Sequence, residues 1–313
     1  MLARAVTLDR VEPEAPAAAA STPAPAASAV AAPVPAAPAV APPGTGAVRL
    51  QPVPAEDASA AHLGGGLEKE RQWLQQSLSR EFSATASSVA RVLSRSPRLR
   101  GGGGQEVVVD LVAVRLYLTE YWQRIDDNVR TGQVGSHVPF ARCVNAGLRR
   151  LPSHRGAVRL RATLSDAEWS WYGCVRLITE WGFCAALTDG TVKLPGNVDF
   201  LIWSATARRT SALAPELPGQ VLFLPGTLFK VLEVRDGDRR EVLLREMSAR
   251  ETASGEPPGL EPTPLDEIAL TGLGKTNVAW LGMKQGAELP QEYADRFGNP
   301  PGLIRNPAGS LVT

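Results

Sequence analysis

Several groups of residues in this chain are of types that do chemistry. Thr271-Gly-Leu-Gly-Lys-Thr276 has the glycines, the lysine and the terminal hydroxyl of a phosphate-cradling loop. Such a loop also needs a glycine at 269, where the chain has Ala269, a strand before it and a substantial α/β domain after it, and the chain ends at Thr313. A nucleotide role is therefore discounted. Thr206-Ala-Arg-Arg-Thr210 offers two cations and two hydroxyls after an apolar run, as an anion contact would or, more simply, a polar loop. Trp169, Trp171, Tyr172, Trp181 and Trp203 fall close together, either as aromatic anchors of a core or as a stacking surface for a flat ligand. Cys143, Cys174 and Cys184 lack the paired spacing of a metal site, and His62, His137 and His154 are scattered, so no metal is expected. The odd cysteine number favours a reducing compartment. Gln220-Val-Leu-Phe-Leu-Pro-Gly-Thr227, continuing to Arg235, reads as a buried strand, a Pro-Gly turn and a second strand.

Composition narrows what these groups can serve. A net charge of +1 and a pI near 7.8 lack the basic excess of a nucleic-acid binder. The Arg pairs at 149–150, 208–209 and 239–240 are separated by apolar segments and read as solvated faces. Residues from about Glu12 to Ala61 are dominated by alanine and proline, which supply neither core volume nor a full set of amide donors. The whole of 1–66 is expected to be a disordered region and linker. Arg4, Asp9 and Arg10 stand where a signal peptide would be apolar, and no run of 18 apolar residues is free of proline. A cytoplasmic location without a membrane span is the expectation.

The elements that must position these groups follow from periodicity. Leu67, Leu74, Leu78, Phe82, Val89 and Val92 recur near the helical period, predicting an amphipathic helix over Leu67–Ser94 within a 67–100 segment. That helix either packs on the next domain or binds a protein partner, as the Ala/Pro stretch also could. Val107, Leu111, Val114, Leu118, Tyr121, Ile125 and Val129 predict a second helix over Gln105–Arg130, capped by Gly132, and a short one follows near Phe140–Leu148. Strands are predicted over 157–164, 175–179, 182–187, 198–204 and 220–224. A hairpin is predicted over 228–247 about Asp236-Gly-Asp, and a helix over 166–172 with Ser165 as its N-cap. Helices first and short strands after indicate an α+β domain over 105–250. The Pro/Gly-rich extension 251–313 is expected to wrap it or to be loosely ordered.

The order from Asp110 to Glu246 resembles actinobacterial-type mono-ADP-ribosyltransferase domains. The likeness is carried by Leu111-Val-Ala-Val-Arg-Leu-Tyr-Leu118, Ile125-Asp-Asp-Asn-Val-Arg130, Leu151-Pro-Ser-His-Arg-Gly-Ala-Val158, Glu180-Trp-Gly-Phe-Cys-Ala-Ala186 and Gln220-Val-Leu-Phe-Leu-Pro-Gly-Thr227. The resemblance implies N-terminal helices followed by a mixed/antiparallel split β-sheet core, a bacterial origin and NAD as cofactor. It also implies a cation against the diphosphate, a hydroxyl near the nicotinamide ribose and a carboxylate facing the oxocarbenium-like ribose.

In that pattern the arginine position falls on Leu160, between Arg159 and Arg161, the serine position on Ala185 and the glutamate position on Gln220. The carboxylate two residues before the glutamate would be at Pro218. Glutamine keeps the shape but not the charge, and losing a preorganised group of this kind costs on the order of 3 kcal/mol of transition-state stabilisation. The resemblance thus implies a catalytically degenerate domain used for interaction or ligand sensing. The alternative is an active transferase or NAD glycohydrolase with a rearranged site. It would use Gln220 or Glu216 at the ribose and Arg159 or Arg161 at the diphosphate, with Ala185 and Phe183 lining the cofactor site. A cleft joining Arg161, Gln220 and a carboxylate would favour the second.

Overall fold

Residues 47–63, 66–101, 103–253, 261–284, 286 and 288–305 are described by the computed structural model of the chain. The part of the expected disordered region at 1–46 lies outside them. The predicted helix over 67–94 forms as two, α1 (Glu68–Ser77) and α2 (Ser79–Arg95), because Leu78 leaves helical geometry at φ −120° and ψ 35°. The break lets each half meet a different neighbour, and the stripe of Leu74, Val89 and Leu93 is buried in the common core. α3 (Gln105–Leu116) passes through one wide turn at Tyr117–Tyr121 into α4 (Trp122–Arg130), so the predicted 105–130 helix holds but bulges. Gly132, at φ 65°, caps it as expected. α3 has apolar residues around its whole circumference from Val107 onward and is buried there on most sides, which makes it the centre of the helical layer. α5 (His137–Arg150) lies close against it. At Gly147 a Cβ would come within 2.3 Å of the Asp110 carbonyl oxygen, so only glycine permits this approach.

The strands follow: β1 (Gly156–Ala162), β2 (Leu177–Glu180), β3 (Cys184–Leu187), β4 (Val198–Ser204), β5 (Arg208–Arg209), β6 (Gln220–Phe223), β7 (Thr227–Asp236) and β8 (Arg240–Glu246). α6 (Asp166–Cys174) separates β1 from β2 and starts on a capping box of Ser165 and Glu168. β5 occupies the run read from sequence as a polar loop. The sheet order is β2-β7-β8-β4-β1-β3-β6-β5, with β4 and β8 parallel and the other pairs antiparallel. β1 and β3 share one register pair, Arg159 with Leu187, and this seam divides five strands from three. The halves face each other across an apolar interior, with Phe223 from one and Phe229 from the other in edge contact at 5.0 Å. The fold class is the split α+β arrangement expected.

Two expectations change. Residues 47–63, counted with the linker, are tied to the C-terminal segment: the Gln51 amide donates to the Gly302 carbonyl at 3.0 Å, and the Ile304 amide to the Arg49 carbonyl at 2.7 Å. Of the two alternatives for the extension after 250, the described part follows the first and wraps the domain, but with helices of its own. It contains α7 (Ala249–Ala253), α8 (Pro264–Gly282) and α9 (Gln291–Ala294). α8 begins on a capping box of Thr263 and Asp266 with Pro264 in its first turn, a local signal strong enough to offset its internal glycines. It covers the outer face of β1, β4 and β8, where Leu201, Leu243 and Leu273 meet. Gly272 sits on the Trp203 ring, 2.3 Å from where a Cβ would be. The 271–276 run is therefore mid-helix, and its Gly272 serves packing.

Candidate functional site

Directly opposed residues of an antiparallel pair present their side chains to one face of the sheet. Arg159 stands opposite Leu187, and Leu187 opposite Gln220. Alternation puts Arg161 and Ala185 on that same face. Leu160 points the other way, into the core. The resemblance put the arginine position at Leu160; the Gln220 face carries instead Arg159 and Arg161, on either side of it. Three strands therefore carry arginine, alanine and glutamine on one face across the seam.

The two arginines are occupied. Arg159 Nε donates to Asp199 Oδ1 at 3.1 Å and its Nη1 to the Gly190 carbonyl; Arg161 Nε donates to the Gly196 carbonyl at 2.9 Å and Nη1 lies 3.4 Å from Asp199 Oδ2. Together they pin both ends of the loop 190–196 to β1, with Asp199 as the shared counter-ion. Trp280 of α8 lies flat on Gly190, 2.1 Å from where a Cβ would stand, and closes the other side. Between them is a polar cavity of about 390 Å³ reaching Glu241, Asn277 and Glu288. Asp199 had no place in the sequence reading. A lone carboxylate in the apolar strand Val198–Ser204 was the available signal.

The other candidates lie elsewhere. Gln220 is 1% exposed, and Thr210 donates its hydroxyl to the Gln220 backbone carbonyl at 3.2 Å and to Oε1 at 3.4 Å. Ala185 is buried beside it. Neither lines this cavity, so it does not join Arg161 to Gln220. Glu216 does not fold back toward Gln220 but pairs with Arg115 of α3 at 2.8 Å. Phe183 is a core residue, its ring 4.9 Å from that of Tyr117. After α9, the turn Asp295–Gly298 packs on both β1 and β3 at the seam. Of the aromatic group, Tyr172 is buried in the core, Trp171 meets its ring edge-on at 4.8 Å, Trp169 lies under Arg240 and Trp203 under α8, so these four serve as packing anchors.

A buried polar centre lies beneath the start of β3. Arg130, 1% exposed, sits 3.2 Å from Glu180 and donates to the carbonyls of Phe183 and Leu303, both at 2.9 Å. Burial pushes nearby Asp126 up to about 8, against the pull of Arg130 and the Tyr117 hydroxyl that donates to it at 2.9 Å. The buried Asn299 Oδ1 is without a partner, and its amide lies 3.5 Å from Asp126 Oδ2. A proton on Asp126 would satisfy it after a turn of that amide. Folding thus favours protonated Asp126, a contribution complete below pH ~4 and lost as the pH rises through about 8. In thermal unfolding, Asp126→Asn is expected to gain on the wild type as the pH goes from about 5 to about 9. A constant offset would show that Asp126 is already ionised.

The fold is ADP-ribosyltransferase-like. The chain is similar to "Putative NAD(+)--arginine ADP-ribosyltransferase Mav" of Mycobacterium avium strain 104, 30% identical over 130 residues, which is 39% of this chain and 16% of that protein. It thus spans about a sixth of the length of that relative. Among solved structures it is similar to the type III effector XopAI of Xanthomonas axonopodis pv. citri lacking 70 N-terminal residues, with a TM-score of 0.50, 19% identity and coverage of 60% of this chain and 91% of the other. The ADP-ribosyltransferase HopU1 of Pseudomonas syringae pv. tomato DC3000 aligns with a TM-score of 0.46 and 10% identity over 53% of this chain and 87% of its own. No protein-family model matches the chain. Among the described residues no helix is long and apolar enough to cross a membrane.

Proposed function

We propose that this domain keeps the ADP-ribosyltransferase-like frame without the transfer chemistry and serves as an interaction or ligand-sensing module. The observation that carries this reading is the burial of Gln220, whose side chain meets Thr210 rather than an open cleft. Breaking the nicotinamide bond of NAD leaves positive charge on the ribose, and a buried neutral amide offers it no compensating charge. Ala185 supplies no hydroxyl beside it, and the turn Asp295–Gly298 lies over the seam. A partner reaching the 67–94 helices would meet their outer polar faces, since the apolar stripe is committed to the core.

The second reading, an active transferase or glycohydrolase, has one observation in its favour: Arg159, Arg161 and Gln220 share a face. Against it, both guanidinium groups are held by Asp199 and the loop. Calorimetric titration of the full chain with NAD, alongside an assay of nicotinamide release, separates the two. We expect no release above the buffer rate. Turnover that disappears in Gln220→Ala would overturn the first reading.

A further inference from the structure

The C-terminal segment carries a charge that is not paired among the described residues. Arg296 is 5% exposed and has no hydrogen bond or ion pair among the described residues. Its guanidinium lies 5.4 Å from the centre of the Trp122 ring and 5.6 Å from that of Tyr293. Its Nε is sealed from solvent without an acceptor. Arg305 approaches the same Trp122 ring, at 5.9 Å, and its Nη1 is likewise sealed and unpaired, while its Nη2 is 3.3 Å from Asp295.

A buried cation ordinarily has an anion against it, because its desolvation is otherwise uncompensated. Two rings give Arg296 a cation–π contribution, which is smaller than that cost. The acidic groups around it do not supply the missing charge. Asp295 already takes Arg305 and the Gln291 amide, Glu216 takes Arg115, and buried Asp126 is held protonated toward pH 8. Asp127 feels the charges of Arg305 and Arg130. Two guanidinium groups beside one indole, each with an unpaired N–H, suit an oxyanion with several acceptor oxygens, since a guanidinium meets a tetrahedral phosphate through two parallel bonds.

We propose that Arg296 and Arg305, both against the Trp122 ring, form a receptor for a phosphate group, either free or as a phosphomonoester. This site is independent of the arginines on β1 and of whether the domain handles NAD. An aromatic ester would add contact with the Trp122 or Tyr293 ring, whereas free phosphate would use the donors alone.

The test is calorimetric titration of the full chain at low salt with inorganic phosphate and, separately, with phenyl phosphate. Saturable binding of either is expected, weakened about tenfold or more in Arg296→Met, which keeps the apolar stem and removes the fork. Tighter binding of phenyl phosphate would assign the site to an ester, and equal binding to free phosphate. If Arg296→Met fails to fold, Arg305→Met, at the more exposed arginine, gives the same comparison. No binding by the wild type, or equal binding by a folded variant, overturns the proposal. NAD serves as a control: its binding with phosphate affinity unchanged by Arg296→Met would sink the phosphate site and leave the fold's dinucleotide question open.

Discussion

Glu180→Ala is expected to destabilise the domain by about 3–5 kcal/mol, enough to unfold much of it at ordinary temperature. Both oxygens of Glu180 are in use. Oε1 accepts from the Gly182 amide at 2.8 Å and lies 3.2 Å from Arg130, Oε2 accepts from the Gly302 amide at 3.1 Å, and Gln51 Nε2 reaches both. The carboxylate therefore joins three stretches distant in sequence: the 47–63 segment, the β2–β3 connection and the C-terminal segment. Removing it leaves the Arg130 cation in the core with only carbonyl partners. The buried desolvation cost then outweighs the few hydrogen bonds that remain. Urea denaturation followed by circular dichroism measures the loss. The double variant Glu180→Leu/Arg130→Met should recover a large part of it, because it removes both charges. A loss below about 1 kcal/mol for the single variant would mean that water reaches the pair.

Placing a glutamate at position 220 has the second largest expected effect, and it falls on stability rather than on activity. Gln220→Glu places an ionisable group at a position 1% exposed, where Thr210 is the side chain that meets it among the described residues. A cost of about 2–4 kcal/mol near neutral pH is expected. The folded state would hold the new carboxyl protonated above its usual range. The variant should therefore be nearest to wild type at low pH and fall away as the pH rises. Denaturation at about pH 5 and about pH 8, with nicotinamide release measured on the same samples, checks both halves. We expect no release. A stable Gln220→Glu protein that turns NAD over would show that the site opens to ligand and that the missing charge alone had silenced it.

Much of the fold was legible because its signals are local. The Ser165 cap, the Gly132 turn, the Asp236-Gly-Asp hairpin and the helical stripe from Val107 to Val129 depend on a few neighbouring residues. The resemblance at 111–130, 151–158, 180–186 and 220–227 led to the split-sheet class for the same reason. α8 was missed because its glycines and weak stripe obscured a capping box that was present at Thr263 and Asp266. The seating of 47–63 was missed because alanine and proline give no pattern, and Gln51 finds its partners only across the molecule.

The candidate site divides along the same line. By itself the sequence determined that Gln220, Ala185 and Pro218 offer neither a carboxylate nor a hydroxyl, since residue type needs no geometry. It could not say which face of β1 matters, because a strand alternates and one step of register reverses the answer. Only the pairing of Arg159 with Leu187, and of Leu187 with Gln220, decided that the arginines lie on the Gln220 side. Tertiary packing then removed what the register had offered: Asp199 and the carbonyls of Gly190 and Gly196 take both guanidiniums, and Thr210 takes the glutamine. A side chain's identity limits the chemistry it can do. Whether it is free to do it depends on which partners the fold brings within about 3 Å.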